Sequence, residues 1–164
     1  FGRFETENEM WSYYSRMTYY YMYHTQSSLL MQTLYMLVKE KPHFVVTSNT
    51  DDHFAMAGFD RKSIFEIEGN MKDMQCARGC HAQVYSNREV VFTMREHEQG
   101  MEIPAEYLPR CPICGGTMQI HVPVNQAFVR DKDWQAQSEC YMDFIDSFHN
   151  KFRRNQLGLM AIYH

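Results

Sequence analysis

The chain has 164 residues, of which 45% are hydrophobic and 15% aromatic, and a formal net charge of −4. That length buries one real core with room for a small satellite module, and the apolar content excludes a disordered chain. The negative charge gives no electrostatic handle for nucleic acid, and no apolar run reaches the roughly 20 residues that span a bilayer.

Thr6 and Glu9 have capping-box spacing, and residues 10–24 then run without Gly or Pro, so a helix starts here. Its aromatics (Trp11, Tyr13, Tyr14, Tyr19, Tyr20, Tyr21 and Tyr23) are too many for one face, so some must cover a neighbouring surface or line a cleft. A second helix is expected over Ser28 to Glu40, with Leu30, Leu34 and Leu37 on one stripe and Pro42 beyond its end. His43-Phe44-Val45-Val46-Thr47 is a short apolar, β-branched run that reads as a buried parallel strand. Ser48-Asn49-Thr50-Asp51 follows it, then a short helix over Asp52 to Ala57, closed by Gly58. Ligands of open α/β sheets bind outside the carboxyl ends of strands, which is where Asn49 and Asp51 stand. Asn and Asp also start turns and cap helices, and the local sequence does not choose between these roles.

Ile64 to Glu68 reads as a further strand ending at Gly69-Asn70. The strongest chemical statement follows: Cys76 and Cys80, then Cys111 and Cys114, as C-x3-C and C-x2-C separated by about thirty residues. Four soft thiolates delivered in pairs suit tetrahedral Zn2+, and four protein ligands close the coordination sphere, so the metal is structural. Two disulfides, or four ordinary buried thiols, are the alternatives, but small disulfide scaffolds are far denser in Cys. His81, next to Cys80, is a fifth donor that could replace a thiolate. Between the pairs, Glu89 to Met94 suggests short strands or loops, and Met118 to Val124 leaves the module extended. A helix resumes over Trp134 to Phe152, with Cys140 expected in the core and Lys151, Arg153 and Arg154 as a solvated basic face. Leu157 to Tyr163 has strand character. Reduced thiols with a zinc knuckle suit the cytoplasm.

Thr47-Ser48-Asn49-Thr50-Asp51-Asp52-His53-Phe54-Ala55-Met56-Ala57-Gly58 resembles the sirtuin strand-loop-helix T-Q-N-I-D-G-L-H-E-R-A-G, register for register. Ile67-Glu68-Gly69 stands where that family carries L-H-G, and the cysteine pairs follow in family order, the second opening C-P-x-C-G-G. Glu9-Met10-Trp11-Ser12-Tyr13-Tyr14-Ser15-Arg16, Ala57-Gly58-Phe59-Asp60 and a non-His residue before Gly69 resemble the macrodomain-linked branch, class M. The resemblance implies a partial Rossmann-like α/β fold, a parallel sheet with flanking helices and an inserted zinc-ribbon module. Residues 1–69 and 123–164 would form the core, and residues 70–122 the zinc module.

It further implies NAD-dependent ADP-ribosyl transfer to a protein, of lipoyl-carrier type, with a macrodomain partner. NAD-dependent deacylation is the alternative enzyme reading, and a zinc-stabilised protein-binding module the non-enzymatic one. Thr47, Ser48, Asn49 and Asp51 would bind NAD, with Asn49 on the nicotinamide ribose and Asp51 on the nicotinamide amide. Cys76, Cys80, Cys111 and Cys114 would hold zinc. Glu68 would replace the deacylases' catalytic His; the class usually carries Gln there, and a solvated strand-end Glu is the plain alternative. The family's phosphate-binding turn G-A-G-x-S has no counterpart here, and the chain opens on Phe1 rather than Met. The chain also stops at Leu157 to His164, where the family continues into another nucleotide-binding strand and turn, so it reads as a fragment incomplete at its two ends, inactive alone and with NAD affinity weaker than millimolar.

Overall fold

The computed structural model describes residues 4–152 and 161–163, which cluster into two compact units. One runs up to Thr25 and resumes over Asn70–Val129; the other comprises Gln26–Gly69 and the chain from Arg130 onward. A grouping by family resemblance keeps residues 1–69 together, whereas in space the first helix clusters with the cysteine-bearing segment.

In the cysteine unit, α1 (Glu7–Thr18) starts where Thr6 Oγ1 accepts the Glu9 N–H at 3.1 Å. Glu9 reaches back one residue further than a strict capping box, to the Glu5 N–H at 3.0 Å. The helical run continues to Tyr23, but as a π-turn over Tyr19–Tyr23. Widening the turn lets Tyr19 and Tyr23 both meet Phe92, at 5.1 and 5.5 Å between ring centroids. Trp11 is fully buried and donates its indole N–H to the Met118 carbonyl at 3.2 Å.

The sheet of this unit is antiparallel, in the order β4 (Tyr85–Ser86), β3 (Asn70–Cys76), β5 (Met118–His121). Cys76 pairs with Met118, so the strand that leaves the second cysteine pair is in register with the strand entering the first. Glu89 to Met94, expected as strands or loops, lies instead in α4 (Arg88–Glu96). The β-branched Val90, Val91 and Thr93 favour a strand locally, but Val91 and Met94 are both fully buried at helical spacing, and that burial outweighs propensity. Asn87, also fully buried, fixes the entry to α4 by donating to the Met71 carbonyl at 2.7 Å and accepting from Tyr23 Oη at 2.8 Å.

The second unit is built on a parallel sheet in the order β2 (Ile64–Glu66), β1 (Val45–Thr47), β6 (Ala161–Tyr163). The central position of β1 explains its apolar run: both of its edges are paired, and strands of parallel sheets are covered on both faces. Of the expected strand over Leu157 to Tyr163, residues 157–160 lie outside the described residues. The β2 strand is shorter than expected; Glu68 falls in the turn after it, where Gly69 N–H bonds to the Glu66 carbonyl at 3.1 Å.

Two helices show which face the core selects, and in the second the structure corrects the expectation. In α2 (Leu29–Val38), capped by Ser28, the residues packed on the core are Met31, Leu34, Tyr35 and Val38, while Leu30 and Leu37 are 77% and 62% exposed. Leucine spacing alone does not choose between two apolar faces. In α5 (Lys132–Phe152), Cys140 is exposed rather than part of the core. Aromatics form the inward stripe: Trp134 meets Phe65 at 5.0 Å, and Tyr141 and Phe144 meet Phe44 at 5.6 and 5.5 Å. Among the described residues, no helix is long and apolar enough to cross a membrane.

Candidate metal centre and strand-end loop

The four paired cysteines converge: their sulfurs all lie within 4.8 Å of one another. Cys76 and Cys114 stand 3.7 Å apart and Cys80 and Cys111 3.6 Å apart. Sulfurs at 2.3 Å around a tetrahedral ion would lie about 3.8 Å from each other, so the cage already has the dimensions of a zinc tetrathiolate. All five cysteines are free thiols, so no disulfide pairs them.

Each pair sits on a tight turn closed by a glycine of positive φ, Gly79 at 58° and Gly115 at 66°. These turns aim backbone N–H groups at sulfur. Burial pushes the Cys76 thiol up, but the N–H groups of Cys80 and Arg78 and the neighbouring thiols outweigh it and bring it down to about 6. Burial opposes and the N–H groups of Cys114 and Ile113 favour the Cys111 thiolate, with a net lowering. Cys80 shifts the other way, raised by desolvation and by sharing hydrogen bonds with Cys76, Cys114 and Cys111. Two thiols are thus biased toward ionisation, while a further anion beside them is opposed until a cation arrives. That donor set fits Zn2+.

His81 does not complete the cage, since four sulfurs already do. Its Nδ1 lies 3.0 Å from Cys80 Sγ and its Nε2 2.9 Å from Tyr85 Oη, a chain that orients the Cys80 ligand from outside. Arg78 lies over the other edge: a Cβ placed on Gly116 would meet Cys114 Sγ at 3.3 Å and Arg78 Nε at 3.7 Å. Because Zn2+ with four thiolates carries a net charge of −2, a guanidinium there offsets it. Arg78 inside the first pair and His81 directly after it were visible in the sequence, but only their placement gives them these roles.

In the other unit, Thr47, Ser48, Asn49 and Asp51 occupy the loop leaving the carboxyl end of β1. Thr47 is buried, and its Oγ1 accepts the Asn49 N–H at 3.0 Å, which fixes the turn and leaves the Asn49 side chain exposed. Asp51 Oδ1 accepts the His53 N–H at 3.2 Å at the start of α3 (His53–Met56). Thr47 is in register with Glu66, and Ile67 N–H bonds to the Thr47 carbonyl at 3.0 Å, so the loop after β1 and the turn carrying Glu68 leave the same edge of the sheet.

Sequence reading missed the groups that hold this edge. Gln137 Oε1 accepts the Glu66 N–H at 3.0 Å, and Trp134 donates its indole N–H to the Ile67 carbonyl at 3.1 Å. Both come from α5, far along the chain, and neither belongs to a recognisable motif. Arg61 bonds both carboxylate oxygens of the buried Asp52.

Comparison with known proteins gives a consistent result. The model of the Sir2 family matches residues 2–149. A protein ADP-ribosyltransferase of Staphylococcus aureus (strain Mu50 / ATCC 700699) is 34% identical over 122 residues, which are 74% of this chain and 38% of that protein. A solved structure from work on the structural basis of sirtuin substrate affinity superposes with a TM-score of 0.50 at 21% identity, covering 70% of this chain and 42% of that one. At that identity the likeness is one of fold, a Rossmann-like α/β arrangement. The chain thus spans well under half the length of either relative.

Proposed function

This chain belongs to the Sir2 family, and on that premise we propose that its strand-end loop serves NAD-dependent ADP-ribosyl transfer to a protein. The carrying observation is the 34% identity to a protein named as an ADP-ribosyltransferase. A second feature favours transfer over deacylation: Glu68 stands before Gly69, where deacylating relatives use a His. A carboxylate, with an ordinary pKa of about 4.3, is a weaker base than imidazole near 6.5, but it stabilises a developing cation.

Bound NAD would supply the ADP-ribosyl group, its cationic pyridinium leaving as neutral nicotinamide while positive charge develops at the ribose. The protein's part is to orient and stabilise. Asn49, its backbone held by Thr47 Oγ1, offers an exposed amide to the ribose hydroxyls. Asp51 spends one oxygen on the His53 N–H and has the other for the nicotinamide amide. Thr47 and Ser48 line the entry to the loop. Glu68, in the turn beside them, faces charge developing at the ribose or takes the proton of the incoming nucleophile. Cys76, Cys80, Cys111 and Cys114 hold a structural Zn2+ that takes no part in the reaction. The acceptor as a lipoyl-carrier protein, and a macrodomain partner, rest on the class M resemblance.

The test is ADP-ribosyl transfer from labelled NAD in a version of the protein extended to a relative's full length. Glu68→Ala is expected to keep its zinc and fold while losing transfer by about 10²-fold. An unchanged rate would make Glu68 a solvated carboxylate and remove it from the site. Deacylation of an acetyl-lysine peptide gained by Glu68→His would favour the deacylase reading of the pocket. Failure of Asn49→Ala and Asp51→Ala to affect nicotinamide release would leave a zinc-stabilised protein-binding module.

A further inference from the structure

Among the described residues, Asp52 alone outside glycine has a positive φ, 57°. It directly follows Asp51, at the place where the T-Q-N-I-D-G pattern carries glycine. A left-handed backbone suits glycine, and Asp enters it only with help from its side chain. That side chain is 2% exposed, and a single guanidinium nitrogen, Arg61 Nη2, bonds both of its oxygens at 2.7 and 2.9 Å. Arg61 opens the short turn Arg61–Ser63 that leads into β2. On the other side, the Asp52 carbonyl accepts the Met56 N–H at 3.0 Å and so begins α3. Asp52 is therefore the joint between the loop that carries Asn49 and Asp51 and the helix that follows.

We propose that the Asp52–Arg61 pair is a positioning device, which holds the left-handed joint and thereby the directions of Asn49 and Asp51 toward a nicotinamide nucleotide. An ion pair between exposed groups would contribute little. Here one partner is buried, so removing the guanidinium takes two charge-assisted hydrogen bonds from a desolvated carboxylate and weakens its hold on the joint. The role predicts a pattern that depends on backbone preference and not on charge alone. Arg61→Met loosens the loop. Asp52→Ala loosens it as well, because alanine disfavours the left-handed region and supplies no carboxylate. Asp52→Gly takes that conformation freely, needs no guanidinium and rescues Arg61→Met.

The ligand side of this proposal rests on the NAD reading above, so the experiment has two arms on the same chain. The first is amide hydrogen exchange across residues 48–53. Exchange about tenfold faster is expected in Arg61→Met and Asp52→Ala, with near-parental rates in the double variant Asp52→Gly/Arg61→Met. The second is NAD added in the millimolar range and read by chemical-shift changes at Asn49 and Asp51, which should weaken and recover in the same order. Unchanged exchange in Arg61→Met, or no rescue by Asp52→Gly, overturns the proposal. An exchange pattern as expected with shift changes alike in every variant also overturns it, because the pair would then serve stability alone. The expected exchange pattern with no shift changes even in the parent chain supports the joint and counts against the NAD reading instead.

Discussion

The cysteine unit and the unit around β1 hold their chains in place by different means. In the first, two turns distant in sequence bring four sulfurs within 4.8 Å, and a core that includes fully buried Trp11, Val91, Met94 and Ile103 packs alongside. In the second, the buried cluster is smaller (Val38, Val45, Phe54, Phe59 and Ile64), the parallel strands have three residues each, and the end of β2 is fastened by side chains of α5. A cross-linked unit tolerates irregular backbone, because the metal supplies order that short strands and a π-turn do not. A parallel sheet depends on contacts between segments far apart in sequence, and it leaves its strand ends open for chemistry.

The sharpest way to break this comparison is to remove the metal. Cys111→Ser, or prolonged chelation of the parent chain, should abolish zinc at one ion per chain and unfold the cysteine unit, since structural zinc is worth on the order of 10 kcal/mol in isolated modules. Elemental analysis and near-ultraviolet circular dichroism read both outcomes; full zinc in Cys111→Ser would show that Cys111 is no ligand. Zinc retention should also depend on pH. Cys76, brought down to about 6, is a thiolate at neutral pH, and its contribution is lost as pH falls through that value, so chelators should strip the metal faster below pH 6 than above pH 8.

Next in size is Trp11→Ala, expected to cost about 3–5 kcal/mol in urea unfolding, because it empties a fully buried site and orphans the Met118 carbonyl. Ile64→Ala, in β2 of the other unit, should cost about 2–5 kcal/mol while leaving zinc content intact. Loss of zinc in that variant would mean that the two units do not hold their chains independently. The smallest effect is expected at Leu30→Ser: at a residue 77% exposed it should stay within about 0.5 kcal/mol, whereas Val38→Ala, on the packed side of α2, should exceed about 1 kcal/mol. Equal costs would restore the leucine stripe as the packed face.

What could be read along the chain was what local chemistry writes down. Cysteine spacing announced the metal cage, because a thiolate pair on a turn is a local feature. The run from Phe44 to Thr47 announced a buried parallel strand, since a strand covered on both faces is apolar throughout. Thr6 announced a helix start, as a cap bonds to the backbone three residues on. Tertiary structure decided whatever depends on a partner distant in sequence. It made a helix of Glu89 to Met94, because Val91 and Met94 find a core on one side. It turned Leu30, Leu37 and Cys140 outward, because the core lay against the other faces of their helices. It brought Gln137 and Trp134 to the end of β2, and Arg61 to Asp52. Those contacts follow from free energy gained only after the chain has closed on itself, and no window along the sequence contains both partners.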